Sequence, residues 1–217
     1  MNIIDSSSTY KTFANNTSGL TNIPLFQVKP LKYHIGNNKF ENVVFQSRNS
    51  VNFFKDIDSL KEKRVFAMGE GTSLLLKERG VAAITPDKIG SFGLVEFLKT
   101  NNFGANTLIV KGKHGLNVVQ DELIKMGHHV TEAECYERVK LPSYSELELN
   151  YQRADAIIFT SCFSIKIYRE ELYSFDSRAK LFGISKRICD YAKDIDLQVV
   201  EIDYFSGNIK EEIARAI

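Results

Sequence analysis

The segment Phe45-Gln46-Ser47-Arg48-Asn49-Ser50-Val51 returns 114 residues later as Phe159-Thr160-Ser161-Cys162-Phe163-Ser164-Ile165. In both copies an apolar run stops at a phenylalanine, a serine stands two residues on, and another serine follows three residues after it. This is how a buried strand ends at a turn and enters a helix, with the first serine at the N-cap. The runs leading in, Asn42-Val43-Val44-Phe45 and Ala156-Ile157-Ile158-Phe159, are nearly continuous rather than alternating. Such runs are buried on both faces, as parallel strands are. The recurrence predicts two similar α/β units.

Carried outward at the same offset, Gly69 falls on Gly183 and Thr72 on Lys186. Further apolar runs, Arg64 to Met68, Thr107 to Val110, Lys180 to Gly183 and Gln198 to Ile202, read as strands. Helical spacing runs from Thr72 to Arg79, Phe92 to Lys99, Leu116 to Met126 and Ile188 to Lys193. Strand and helix alternate, so the fold class is α/β, with parallel sheets flanked by helices. A looser match sets Ile3-Ile4-Asp5 against Leu108-Ile109-Val110, each opening a β-α-β stretch that ends near a proline, Pro30 or Pro142. Residues 5–22, rich in Ser, Thr and Asn, are either a loose helix or a long loop.

The 217 residues suit one large domain or two smaller ones, and 43% hydrophobic residues are enough for a core without staples. A net charge of +1 supplies no global field towards nucleic acid or an anionic membrane. An anionic ligand has to be met by local donors instead. The start, Met1-Asn2-Ile3-Ile4-Asp5, shows no basic region before an apolar stretch, so no signal peptide is expected. No apolar run is long enough to predict a membrane span. Cys135, Cys162 and Cys189 lack CxxC spacing, and reduced thiols in a cytoplasmic protein are expected.

Chemistry concentrates at the strand-to-helix turns. Ser47 and Ser161 either only cap their helices or also share the free N–H groups with an anion, and Asn49 lies in the turn beside Ser47. Open α/β sheets bind ligands at this edge. A second pair of turns, Met68-Gly69-Glu70-Gly71-Thr72-Ser73 and Phe182-Gly183-Ile184-Ser185-Lys186-Arg187, offers Thr72, Ser185 and Lys186. Neither turn has the GxGxxG or GxxxxGK[ST] spacing of a nucleotide site. Lys111-Gly112-Lys113-His114-Gly115 follows another strand, and its two cations suit a polyanion or simply a solvated turn. Tyr136 ends a strand, as a packing residue or a functional one. The four histidines show no metal spacing, and no GxSxG elbow is present.

In their order and spacing these elements resemble the uroporphyrinogen-III synthase family. The carriers are Phe45-Gln46-Ser47, Phe159-Thr160-Ser161, the turn from Gly69 to Thr72, Cys135-Tyr136, the Pro86 to Leu98 stretch and Leu108 to Gly112. The resemblance implies a continuous domain over 29–141 and a discontinuous one made of 1–28 with 142–217, joined by a two-stranded linker. It implies a linear tetrapyrrole substrate, hydroxymethylbilane, lying in a cleft between the domains. The family reaction eliminates water, inverts the last pyrrole ring and closes the macrocycle, with no metal or organic cofactor. Tyr136 then assists departure of the hydroxyl. Ser47, Asn49, Thr72, Ser161 and Ser185, with backbone N–H groups around Gly112, hold substrate carboxylates, and Lys111, Lys113 and Lys186 serve as counter-ions. A monomer acting on a small molecule, without nucleic acid or membrane, is expected.

The chain departs from the family pattern in places. Ile4-Asp5-Ser6-Ser7 stands where the family commonly has Arg-Pro after the first strand. Glu70 and Ile184 replace a frequent proline, and Lys186 stands where a hydroxyl is expected. The competing reading is a non-catalytic two-domain cleft protein that binds a small polyanion. A response-regulator or flavodoxin-like pair lacks its acidic cluster or phosphate loop here.

Overall fold

Val43, Val44 and Phe45 are wholly buried although consecutive strand residues point to opposite faces, so helices must cover both sides of their sheet. The computed structural model describes residues 1–8, 20–36, 40–88, 90–101, 104–204, 206 and 208–216. Most of the 5–22 segment weighed above, residues 9–19, lies outside the described residues.

The chain divides into two compact units, Met1–Gln27 with Val139–Ile217, and Val28–Arg138. The strands are β1 (Ile3–Asp5), β2 (Leu20–Asn22), β3 (Phe26–Pro30), β4 (Asn42–Phe45), β5 (Arg64–Ala67), β6 (Asn106–Gly112), β7 (His129–Lys140), β8 (Ala156–Phe159), β9 (Lys180–Gly183) and β10 (Val199–Glu201). The helices are α1 (Arg48–Phe53), α2 (Glu70–Glu78), α3 (Ser91–Thr100), α4 (Val118–Lys125), α5 (Ser145–Gln152), α6 (Cys162–Glu171), α7 (Lys186–Asp194) and α8 (Ile209–Ala216). The chain passes from one unit to the other within β3 and again within β7, and these two strands are neighbours.

In the continuous unit the sheet order is β3-β7-β6-β4-β5, with β5, β4, β6 and β7 parallel. One face carries Val43, Phe45, Val65, Ala67, Leu108 and Val110 against Val51 and Phe54 at α1 and Leu76 of α2. The other carries Val44, Phe66 and Ile109 against Leu94, Val95 and Leu98 of α3 and Val119 and Leu123 of α4. Period-2 alternation thus sorts one continuous apolar run onto two cores. Each wholly buried large side chain, such as Phe45 or Leu76, contributes about 1.5–3 kcal/mol.

In the discontinuous unit the order is β10-β9-β8-β1-β2, all parallel. One face packs Ile3, Ala156, Ile158 and Phe182 against Ile209 and Ile213 of α8. Laid on the other sheet, β8 corresponds to β4, β9 to β5, β1 to β6 and β2 to β7. The isolated parallel bridge of Ile84 to Phe66 stands for β10, where Val200 pairs with Phe182. The two units are circular permutations of one plan, because β1 precedes β8 and β9 in the chain whereas β6 follows β4 and β5.

The ladders correct the repeat in two places. Phe45 pairs with Ala67 and Phe159 with Gly183, so Ala67, not Gly69, is the counterpart of Gly183. Two more residues separate the first serine from the next strand in the discontinuous unit, and from there the offset is 116. Gly69 therefore corresponds to Ser185, each the N-cap of its helix, and Thr72 corresponds to Ile188 rather than Lys186. The carbonyl of Gly69 accepts from Thr72 and Ser73 N–H as that of Ser185 does from Ile188 and Cys189. The new register holds to the helix ends, where Gly80 (φ 78°) and Asp196 (φ 58°) both take the left-handed conformation. The looser match is shifted by one: Leu108 pairs with Val43 and Ile4 with Ile157, so Ile4 corresponds to Leu108 and Asp5 to Ile109.

Candidate active site

Ser47 leaves β4 in an extended conformation and caps α1, its Oγ accepting from Ser50 N–H at 3.1 Å. The Ser50 hydroxyl answers by accepting from Ser47 N–H at 3.1 Å, which closes a capping box. The same Ser47 Oγ lies 2.9 Å from the phenolic oxygen of Tyr136. The two residues are 89 positions apart and meet because β6 lies between β4 and β7 in the sheet. A bulge between Lys111 and Gly112 shifts the β6–β7 register so that Gly112 faces Tyr136. Lys113 N–H then donates to the Tyr136 carbonyl at 2.7 Å. A Cβ on Gly112 would stand 2.5 Å from the Tyr136 ring carbon Cζ, so only glycine leaves the ring room. Tyr136 is 5% exposed, with Phe53 6.0 Å from it between ring centroids. The phenol is held by its backbone, its ring and its hydroxyl. Thr72, buried in the first turn of α2, and Asn49, in the first turn of α1, belong to the same strand-end edge.

The lysine-rich turn divides. Lys111 is buried, ion-paired with Glu132, and donates to Asn117 Oδ1 at 2.8 Å. That charge is committed inside the unit. Lys113 is exposed, 3.8 Å from Glu137. His114 takes a positive φ of 59° in the turn that returns towards β4, where Gln46 donates to the Leu116 carbonyl at 3.4 Å.

The discontinuous unit repeats the serine geometry. Ser161 caps α6, its Oγ accepting from Ser164 N–H at 3.1 Å, and Ser164 Oγ donates to the Ser161 carbonyl at 2.7 Å. Ser185 caps α7 without a side-chain hydrogen bond to the helix. Lys186, the first residue of α7, is exposed and donates to Asp190 at 3.3 Å. Arg187 Nη1 donates to Cys162 Sγ at 3.2 Å. In the continuous unit Arg48, at the position of Cys162, lies over Gly71, at the position of Arg187. Neither arginine is signalled by a motif; only the corrected register relates them.

Asp5, the last residue of β1, is buried and satisfied. Its Oδ1 accepts from Ser7 N–H at 2.8 Å and its Oδ2 from the Tyr204 hydroxyl at 2.6 Å. Burial pushes the Cys135 thiol up to about 12 and raises that of Cys189, so neither is a ready nucleophile. Among the described residues no group of three or more His, Cys, Asp or Glu is placed to hold a metal ion. Nor is any described helix long and apolar enough to cross a membrane.

Against solved structures, the fold is similar to uroporphyrinogen-III synthetase from Helicobacter pylori 26695 at a TM-score of 0.74 and 14% identity, covering 99% of each chain. It is also similar to a mutant uroporphyrinogen III synthase from the extremely thermophilic bacterium Thermus thermophilus at a TM-score of 0.61 and 14% identity, over 99% of this chain and 97% of that one. No curated protein sequence gives a significant match. The model for the family described as uroporphyrinogen-III synthase HemD matches residues 9–203, which takes in every strand from β2 to β10 and both serine turns. With a match over that much of its length, the chain belongs to the uroporphyrinogen-III synthase family.

Proposed function

We propose that this chain, a monomer in the cytoplasm, closes hydroxymethylbilane to uroporphyrinogen III. The substrate's terminal hydroxyl leaves as water, the last pyrrole ring is inverted, and a carbon–carbon bond closes the macrocycle. No oxidation state changes overall, so the step calls for no redox cofactor. The observation that carries the reading is the Tyr136 phenol, 2.9 Å from Ser47 Oγ at the strand-end edge of a parallel sheet. A phenolic O–H both donates and accepts. Donation to the departing hydroxyl is the acid assistance that its loss requires. Ser47 holds the phenol while its Oγ accepts from the helix.

Substrate carboxylates are received by hydroxyls and N–H groups at Ser47, Asn49, Thr72, Ser161 and Ser185. Contacts at helix starts contribute about 0.3–1 kcal/mol each, so several must act together. Binding then folds a flexible chain so that its ends meet, which is catalysis by proximity.

The test supplies hydroxymethylbilane and analyses the porphyrin isomers after oxidation. The type III isomer is expected to form faster than spontaneous closure yields type I. Type I alone, from intact folded protein, would leave a binder and no synthase. Tyr136→Phe is expected to lower kcat about tenfold or more, with the melting temperature nearly unchanged. An equal loss of folding would make Tyr136 a packing residue.

A further inference from the structure

We infer that Arg48 and Arg187 are carboxylate-binding cations for the tetrapyrrole, each at the strand-end edge of its own unit. The inference rests on the synthase reading for the identity of the ligand, and on charge accounting for the residues. Lys111 is buried against Glu132, Lys113 faces Glu137, and Lys186 donates to Asp190. Only the charge of Lys111 is held inside its unit; Lys113 and Lys186 are exposed, and their surface pairs are weak. Among the described residues neither Arg48 nor Arg187 has an ion-pair partner, and the buried Nε of Arg48 has no hydrogen-bond partner at all. A buried donor left unmade costs about 1–3 kcal/mol, a cost that an incoming acceptor relieves.

The two arginines occupy one location by different routes. Arg48 starts α1 and reaches across to α2, where a Cβ on Gly71 would stand 3.5 Å from its Cδ and 3.9 Å from Nη1. Arg187 lies in the first turn of α7 and reaches across to α6, donating to Cys162 Sγ at 3.2 Å. In the corrected register Arg48 corresponds to Cys162 and Gly71 to Arg187. Each unit therefore places one guanidinium across the starts of its two neighbouring helices, with a small residue opposite to admit it. A mere packing role does not require the cation to reappear when the helix that supplies it changes. The fork of a guanidinium matches a carboxylate in two parallel hydrogen bonds, which an ammonium cannot copy.

The experiment titrates uroporphyrin III, a stable porphyrin with eight carboxylates, by fluorescence against the wild type and the variants Arg48→Gln, Arg187→Gln and Arg215→Gln. Arg215 is the control. It lies in the last turn of α8, and the next residue, Ala216, accepts from Lys180, which begins β9 at the end of the strands opposite the serine turns. Arg48→Gln and Arg187→Gln are each expected to weaken binding about tenfold and to raise KM for hydroxymethylbilane similarly, while Arg215→Gln stays within about twofold. Arg48→Lys and Arg187→Lys keep the charge and are expected to recover only part of the loss. Arginine variants that fold and bind as tightly as Arg215→Gln would overturn the assignment, even with the synthase fully active. Arginine-dependent binding by a wild type that makes only type I product would instead overturn the synthase reading and leave the assignment standing.

Discussion

Where β6 meets β7 in the continuous unit, the buried Lys111 is ion-paired with the half-buried Glu132. At the corresponding point between β1 and β2 in the other unit stand Ser7 and Asn22. There the Asn22 amide donates to the Ser7 carbonyl at 2.8 Å and to its hydroxyl at 3.2 Å. One plan, then, is closed by two charges in one copy and by two neutral groups in the other. What the plan demands is that polar groups at the end of an inner strand find partners, and either chemistry meets the demand. The tyrosine has no such counterpart. β7 runs on to Lys140, through Tyr136, whereas β2 stops at Asn22. The serine cap is duplicated and the phenol is not, which separates a structural feature of both units from a chemical feature of one.

That contrast breaks most visibly at its charged member. Glu132→Ala leaves the Lys111 ammonium buried without a countercharge and is expected to destabilise the protein by about 3 kcal/mol or more. Asn22→Ala, which removes only neutral hydrogen bonds, is expected to cost about 1 kcal/mol. Denaturant unfolding checks both, and equal costs would mean that the ion pair is solvated. The serines sharpen the contrast at a smaller scale. Ser47→Ala and Ser161→Ala each remove a cap and are expected to lose about 1 kcal/mol. Ser47→Ala alone also frees the Tyr136 phenol, so its kcat should fall further and its ratio of type III to type I product should drop more. Similar kinetic losses from both would remove the distinction between the units. The smallest effect belongs to the left-handed helix ends. Gly80→Ala is expected to cost about 1 kcal/mol, while Asp196→Gly, which replaces a side chain at the same conformation, changes stability by less than that.

The sequence makes the strands and the serine turns legible because apolar runs and caps are local signals. It misleads at the glycines. Gly69 and Gly183 share a letter for unrelated reasons. Gly69 is an N-cap, whereas Gly183 ends a strand where a Cβ would meet Cys189 Sγ at 3.0 Å, Ile188 Cγ2 at 3.1 Å and Val199 Cγ1 at 3.2 Å. Matching them hides the two residues by which the copies differ, and with them the exchange of Arg48 for Arg187. Lys111 reads as a free cation because Glu132 is 21 positions away and only strand pairing brings it near. The same holds for Ser47 and Tyr136. Each is marked by its own neighbours, but their hydrogen bond depends on three strands and a bulge. Short-range pattern finds the elements; register decides which of their side chains meet.

The permuted order also sets how the two sheets can be made. The continuous unit pairs strands that lie within one stretch of chain, so it can assemble while later residues are still being added. β1 must wait for β8, with Ile3 pairing to Ala156 across the whole intervening unit. Closing so long a loop is slow for an unstructured chain. Once the inner unit has folded, its entry and exit strands, β3 and β7, lie side by side, and the loop that β1 and β8 must close shrinks to residues 6–25 and 141–155. Folding of the inserted unit thus acts as a template for the split one, and damage to the first should delay the second during biosynthesis.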